Sequence, residues 1–175
     1  PRGPRASAGL ATRTSKAQPA AAVSMRMSWT PFQEWLSAIR AGTREEAAAQ
    51  DIVLVAVNWS KLPAALAGLP DWNGRIVIDA NNPIEAPLFQ PADLGGRVSS
   101  EGFAELVPGA RMVKGFNHLQ PQLVSGNPQS EGGQRVLFYS GDDARAKSEV
   151  GGLIEQLGFF GIDLGSLAIG GQLVQ

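Results

Sequence analysis

Three aliphatic runs in this 175-residue chain each end in polar or aromatic side chains. DIVLVAV, residues 51–57, is followed by Asn58 and Trp59; RIVIDA, residues 75–80, by Asn81, Asn82 and Pro83; RMVKGF, residues 111–116, by Asn117 and His118. A side-chain amide both donates and accepts hydrogen bonds, and Pro83 stiffens its loop, so these ends could hold a polar ligand. In an open parallel sheet ligands bind in the crevice outside the carboxyl ends of the strands. Three ends that gather amides, an indole and the one histidine of the chain match that rule. A plainer reading stands beside it at each position. Asn and Asp end strands because they bond to nearby backbone, and Asn-Pro opens turns. His118 alone reads as a structural residue, and Trp59 as an indole covering the sheet edge. Lys114, inside an apolar strand, reads as a side chain that snorkels to solvent.

The elements that must carry these ends recur along the chain. Thr30 can cap a helix that starts at Pro31 and puts Phe32, Trp35, Leu36 and Ile39 on one face. Thr43 with Glu46 repeats the capping-box signal for a short helix over Glu45 to Gln50. DIVLVAV then reads as a strand buried on both faces. Ser60 can cap a helix through Leu62, Leu66 and Leu69, and RIVID, ARMVKGF and QRVLFYSG supply further strands. Asp142 or Asp143 can cap a helix with Ala146, Val150, Leu153, Ile154 and Leu157 on its apolar face; FFGIDLG closes with a short strand. Aliphatic strands alternating with amphipathic helices predict an α/β fold with a doubly wound, mainly parallel sheet.

Composition narrows the function. The chain has 15 basic and 16 acidic residues and a net charge of −1, so no positive field favours nucleic acid or an anionic membrane surface. A small molecule is the expected partner. The absence of cysteine excludes disulfides, cysteine nucleophiles and thiolate zinc sites, and a single histidine argues against a histidine-built metal centre or triad. No apolar run approaches the roughly 20 residues of a membrane helix, and the cytoplasm is the expected compartment. Before Glu34 stand Arg2, Arg5, Arg13, Lys16 and Arg26 and no acid, a profile shared with organelle transit peptides. No phosphate-cradling GxxxxGK, no GxSxG elbow and no GxGxxG fingerprint occurs.

Taken together, DIVLVAVNW, GRIVIDANNPIE, PADLGGRVSSEGFAELVPGARMVKGFN and VLFYSGDDARAKSEVGGLIEQLGFFGIDLGSLAIGGQL resemble the NADPH-dependent oxidoreductases related to the reductase of the deazaflavin coenzyme F420. The resemblance runs from about Gly42 to the end, and implies a Rossmann-like dinucleotide-binding domain over residues 42–175 after an atypical segment 1–41. Pro1-Arg2-Gly3-Pro4 is similar to the Ser-Arg-Gly-Pro turn of the family, which implies that Arg2, with Gly3 and Pro4, meets the adenosine 2′-phosphate and selects NADP(H). It further implies that the nicotinamide lies near Val57, Asn58, Trp59, Ala80, Asn82 and Pro83. A deazaflavin or flavin-like acceptor would then sit beside Trp59, Asn117 and His118. Hydride passes directly between the two rings, so no triad is needed. The sequence also departs from the family. Its first strand, glycine-rich turn and first helix would precede Pro1, and residues 11–39 differ in wording. Asn58 stands where the family usually has Pro, and Asn81 and His118 where it often has Thr. The alternative is a non-catalytic binding or oligomerisation module, or an inactive fragment without the phosphate loop. An unpaired sheet edge would favour homo-oligomers.

Overall fold

The computed structural model describes Ala21–Ala22, residues 40–85 and residues 87–175. Arg2, Gly3, Pro4 and the helix expected from Pro31 lie outside the described residues. Strand β1 (Ala21–Ala22) pairs antiparallel with β2 (Arg40–Ala41). Helix α1 (Arg44–Ala48) starts with the capping box that the sequence encodes: Thr43 Oγ1 accepts from the Glu46 amide at 3.1 Å, and Glu46 Oε2 accepts from the Thr43 amide at 2.8 Å.

Strand β3 (Ile52–Val55) leads through a 3₁₀ turn (Trp59–Lys61) into α2 (Leu62–Leu66). Ser60 caps nothing; the helix starts behind the turn with Pro63 in its first positions, where a missing N–H costs no bond. Then follow β4 (Ile76–Asp79), the hairpin β5 (Ile84–Glu85) and β6 (Gln90–Pro91), α3 (Ser99–Leu106) and β7 (Arg111–Gly115). The one-turn α4 (Pro121–Val124) and the hairpin β8 (Gln129–Ser130) and β9 (Gly133–Gln134) precede β10 (Val136–Gly141). Helix α5 (Ala144–Gln156), β11 (Phe160–Asp163) and α6 (Leu167–Leu173) complete the chain. Of the two candidate caps for α5, Asp143 serves, accepting from the Ala146 amide at 2.7 Å; Asp142 instead accepts from the Leu167 amide at 3.0 Å, at the start of α6.

The main sheet has the order β11-β10-β7-β4-β3. Strands β3, β4 and β7 are mutually parallel, β10 runs antiparallel to β7, and β11 is parallel to β10. The mainly parallel sheet is therefore as expected, with one reversal. A parallel crossover needs an element that runs back along the sheet, and α4, at about 1.5 Å per residue, is far too short to do so. The chain stays at the carboxyl end of β7 and β10 starts there.

Helices cover both faces. Val53, Val55, Val77 and Met112 pack against Ala48, Leu62, Leu66 and Phe103 from α1, α2 and α3. Ile76, Ile78, Val113 and Leu137 pack against Ala146, Val150, Leu153 and Ile154 of α5. One expectation fails here: β3 is not buried on both faces, and Leu54 is 46% exposed. Helix α5 lies over β7, β10 and β11 and does not reach that edge. Helix α6 docks through adjacent glycines. A Cβ on Gly170 would lie 2.5 Å from Ser140 Cβ, and one on Gly171 would lie 2.7 Å from Ser100 Oγ. No described helix is long and apolar enough to cross a membrane.

Candidate functional site

Because β3, β4 and β7 are parallel neighbours, their carboxyl ends lie side by side. The residues after them are joined by side-chain hydrogen bonds. Asp79 and Lys114 are register partners on β4 and β7, on the same face of the sheet. Both are fully buried, with Lys114 Nζ 3.0 Å from Asp79 Oδ2. Lys114 therefore does not snorkel, correcting the sequence reading. It sits in the middle of a five-stranded sheet with no path to water, and a buried charge needs a partner. Its ammonium also donates to the Asn81 carbonyl at 2.7 Å.

Asn81 joins β4 to β3. Its Nδ2 donates to the Val55 carbonyl at 3.0 Å and to Asp79 Oδ1 at 2.7 Å, while its Oδ1 accepts from the Val57 amide at 2.8 Å. Asn82 joins β4 to β7. Its Nδ2 donates to the Asn117 carbonyl at 2.7 Å, and its Oδ1 accepts from Asn117 Nδ2 at 2.8 Å. Asn117 Nδ2 donates as well to the Val174 carbonyl, just beyond α6.

Above these ends opens a cleft of about 320 Å³, lined by Ala56 to Trp59, Ala80 to Asn82, Ile84 and Phe89. Ala56 to Trp59 follow β3 and Ala80 to Asn82 follow β4. The indole of Trp59 is part-buried against the core beneath α2, and the hairpin of β5 and β6 raises Ile84 and Phe89 as the outer wall. Phe89 is 78% exposed and holds φ at 51°, a conformation that costs a non-glycine residue strain. Asn58 makes no cap bond to the 3₁₀ turn it precedes, and it lines the cleft.

The structure brings together Val57, Asn58, Trp59, Ala80 and Asn82 on the cleft wall. Pro83 lies buried beside them, its carbonyl accepting from the Ala92 amide at 2.7 Å and so closing the hairpin. Asn117 and His118 do not line the cleft. Asn117 faces Asn82 and the end of α6, and His118 turns toward β10, where Nε2 meets the Val136 carbonyl at 3.3 Å. A carbonyl only accepts, so Nε2 carries the proton there, and the ring tilts over Phe138 with centroids 5.0 Å apart. Sequence reasoning missed Ala56, Ile84 and Phe89 as lining residues, and the family resemblance left out Asn81, which the strand-end pattern had marked. Asn81 stood in plain view between Asp79 and Asn82. Nothing in the sequence marks Phe89, which reaches the cleft only because the hairpin folds back.

The chain matches a family model described as NADP oxidoreductase, coenzyme F420-dependent, over residues 6–83. That match passes through the stretch before Arg40 whose wording differs from the family pattern. A hypothetical protein from Sinorhizobium meliloti superposes with a TM-score of 0.76 at 40% identity, over 82% of this chain and 70% of that one. A protein from Arthrobacter sp. FB24, assigned as an F420-dependent NADP-reductase, superposes with a TM-score of 0.65 at 29% identity, over 82% and 71% of the two chains. The rat metalloreductase STEAP3 is 29% identical over 126 residues, which are 71% of this chain; the chain spans only 25% of that protein. With these neighbours and a mainly parallel sheet that carries the cleft at its strand ends, the chain belongs to the family of coenzyme F420-dependent NADP oxidoreductases.

Proposed function

We propose that the chain is an NADP-dependent oxidoreductase that takes the nicotinamide ring in the cleft above β3 and β4 and passes hydride to a deazaflavin or flavin-like acceptor. The observation that carries the reading is the position of the cleft. It lies at the carboxyl ends of adjacent parallel strands, where open α/β sheets bind ligands, and its lining includes Asn58, whose side chain makes no cap bond to the turn it precedes. The residues fit the ring: aliphatic and aromatic lining side chains and an amide able to pair with a carboxamide. NADPH, when bound, supplies the hydride. The chain's own residues orient the two rings and exclude water, and such positioning is what a direct transfer requires of the protein. Asn58 pairs with the carboxamide, Trp59 and Phe89 flank the rings, and Asn117 with His118 hold the loop behind Asn82. Arg2, with Gly3 and Pro4, is assigned to the 2′-phosphate on the family resemblance alone.

The test is titration with NADPH and NADH followed by nicotinamide fluorescence, then mixing of the NADPH complex with coenzyme F420 or FMN. Saturable binding that favours NADPH, with oxidation on addition of one acceptor, supports the reading. A folded chain that binds neither nucleotide overturns it and leaves the sheet as a binding or oligomerisation module.

A further inference from the structure

We infer that the buried pair of Lys114 and Asp79 is a positioning device for the cleft, acting through the side-chain amide of Asn81; the inference rests on the reading of the cleft as the nicotinamide site. An asparagine amide is nearly symmetric in shape, and turning it over exchanges a donor for an acceptor. Asn81 works in one orientation only, because Oδ1 must face the Val57 amide and Nδ2 the Val55 carbonyl. Asp79 Oδ1 sets that orientation. It accepts from Asn81 Nδ2 at 2.7 Å and from the Asn81 main-chain amide at 3.0 Å, so a reversed side chain would put oxygen against carboxylate.

A carboxylate buried in this sheet needs a countercharge, and Lys114 supplies it. The same ammonium fixes the Asn81 carbonyl, so every polar group of Asn81 is engaged. Through these bonds the chain at the end of β3, from Val55 to Val57, is tied to the chain after β4, and Val57, Ala80 and Asn82 line the cleft. Stability alone does not account for a buried ion pair, because well-packed apolar residues often replace one at no loss. Asp79 and Lys114 are the only fully buried charged side chains among the described residues, and they stand directly beneath the cleft.

Two double variants separate positioning from support. D79L/K114M removes the charges and the acceptor; D79N/K114M removes the charges but keeps a carbonyl oxygen where Asn81 needs one. N81A removes the amide and leaves the pair. Two readouts apply: hydrogen exchange of the Val57 amide in the ligand-free protein, and affinity for NADPH beside that for 2′,5′-ADP, which lacks the nicotinamide. D79L/K114M and N81A should expose the Val57 amide and weaken NADPH by about tenfold, with 2′,5′-ADP bound as before. D79N/K114M should restore both. Unchanged Val57 exchange in a folded D79L/K114M or N81A variant overturns the inference, as does equal weakening of both ligands. If D79L/K114M does not fold, N81A and D79N/K114M carry the same comparison. Failure of the wild-type chain to bind NADPH overturns the cleft reading instead, and with it the functional half of this inference, while Val57 exchange still decides the amide's orientation.

Discussion

Two ion pairs in this chain look alike by distance and differ in everything else. Arg97 and Glu105 meet at 2.6 Å with side chains 50% and 66% exposed, and Lys114 and Asp79 meet at 3.0 Å with none. The shorter contact is the weaker. Water screens the first pair, and each side chain can leave it and be solvated, so its net worth is small. Even so, the hydrogen bond to Glu105 and its charge hold the Arg97 guanidinium above its ordinary range. In the second pair neither partner can reach water. Removing one strands the other, and the penalty is that of an uncompensated buried charge rather than the value of the contact. Burial, not separation, sets what an ion pair does here.

That comparison can be broken at several points. Asp79→Ala or Lys114→Ala should lower unfolding free energy by about 3–5 kcal/mol, measured by urea denaturation. A loss below about 1 kcal/mol would mean that water reaches the pair and that the contrast is false. Gly170→Val tests burial without charge: with Ser140 Cβ and Leu164 Cβ 2.5 and 2.7 Å from the modest Cβ alone, α6 must shift, at a cost of about 1–3 kcal/mol. Asp143→Ala removes a half-exposed cap and should cost about 1 kcal/mol. Arg97→Ala should leave the melting temperature unchanged at high and low salt alike; a fall at low salt would give the surface pair more weight than exposure allows.

Tyr139 lies between the two extremes, and as the only tyrosine its titration can be read without ambiguity. Partial burial, and then the charge of Asp163, raise its phenol above the usual 10.0. The folded state thus keeps the proton longer than the unfolded chain does. The stability it contributes is complete below pH 10.0, the unfolded value, and is lost as pH rises through the folded midpoint. Near-ultraviolet phenolate absorbance should show a midpoint above 10.0 in the native protein, falling to the ordinary value in urea.

Much of the fold was legible because its signals are local. The aliphatic runs of β3, β4, β7 and β10 announce strands, and Thr43 with Glu46 announces a helix start. The polar switch at the strand ends was legible too: Asn58, Asn81 and Asn82 follow aliphatic runs in the sequence and line the cleft in the structure. What could not be read depends on which strand neighbours which. Hydrophobic periodicity carries no direction, so the reversal at β10 was invisible. Lys114 looked like a solvent-seeking residue because its partner stands 35 positions away and meets it only through the register of β4 and β7. Asn117 and His118 pointed to the cleft by position, but the side chains after β7 turn toward Asn82, α6 and β10. Glycines 170 and 171 gave no helix signal, since their use is to let α6 come close rather than to form it.

The reversal at β10 has a consequence for how relatives of this chain can diverge. Both ends of the connection between β7 and β10, residues 116–135, lie at the same end of the sheet, so its length need not match the span of a crossover. Closing a longer loop costs only slowly more as residues are added. Insertions or deletions there would reshape the ground around His118 while every strand pair kept its register. The scaffold thus leaves one stretch of chain free to drift in length beside the strand ends, and a lineage could reshape that surface without re-threading a strand.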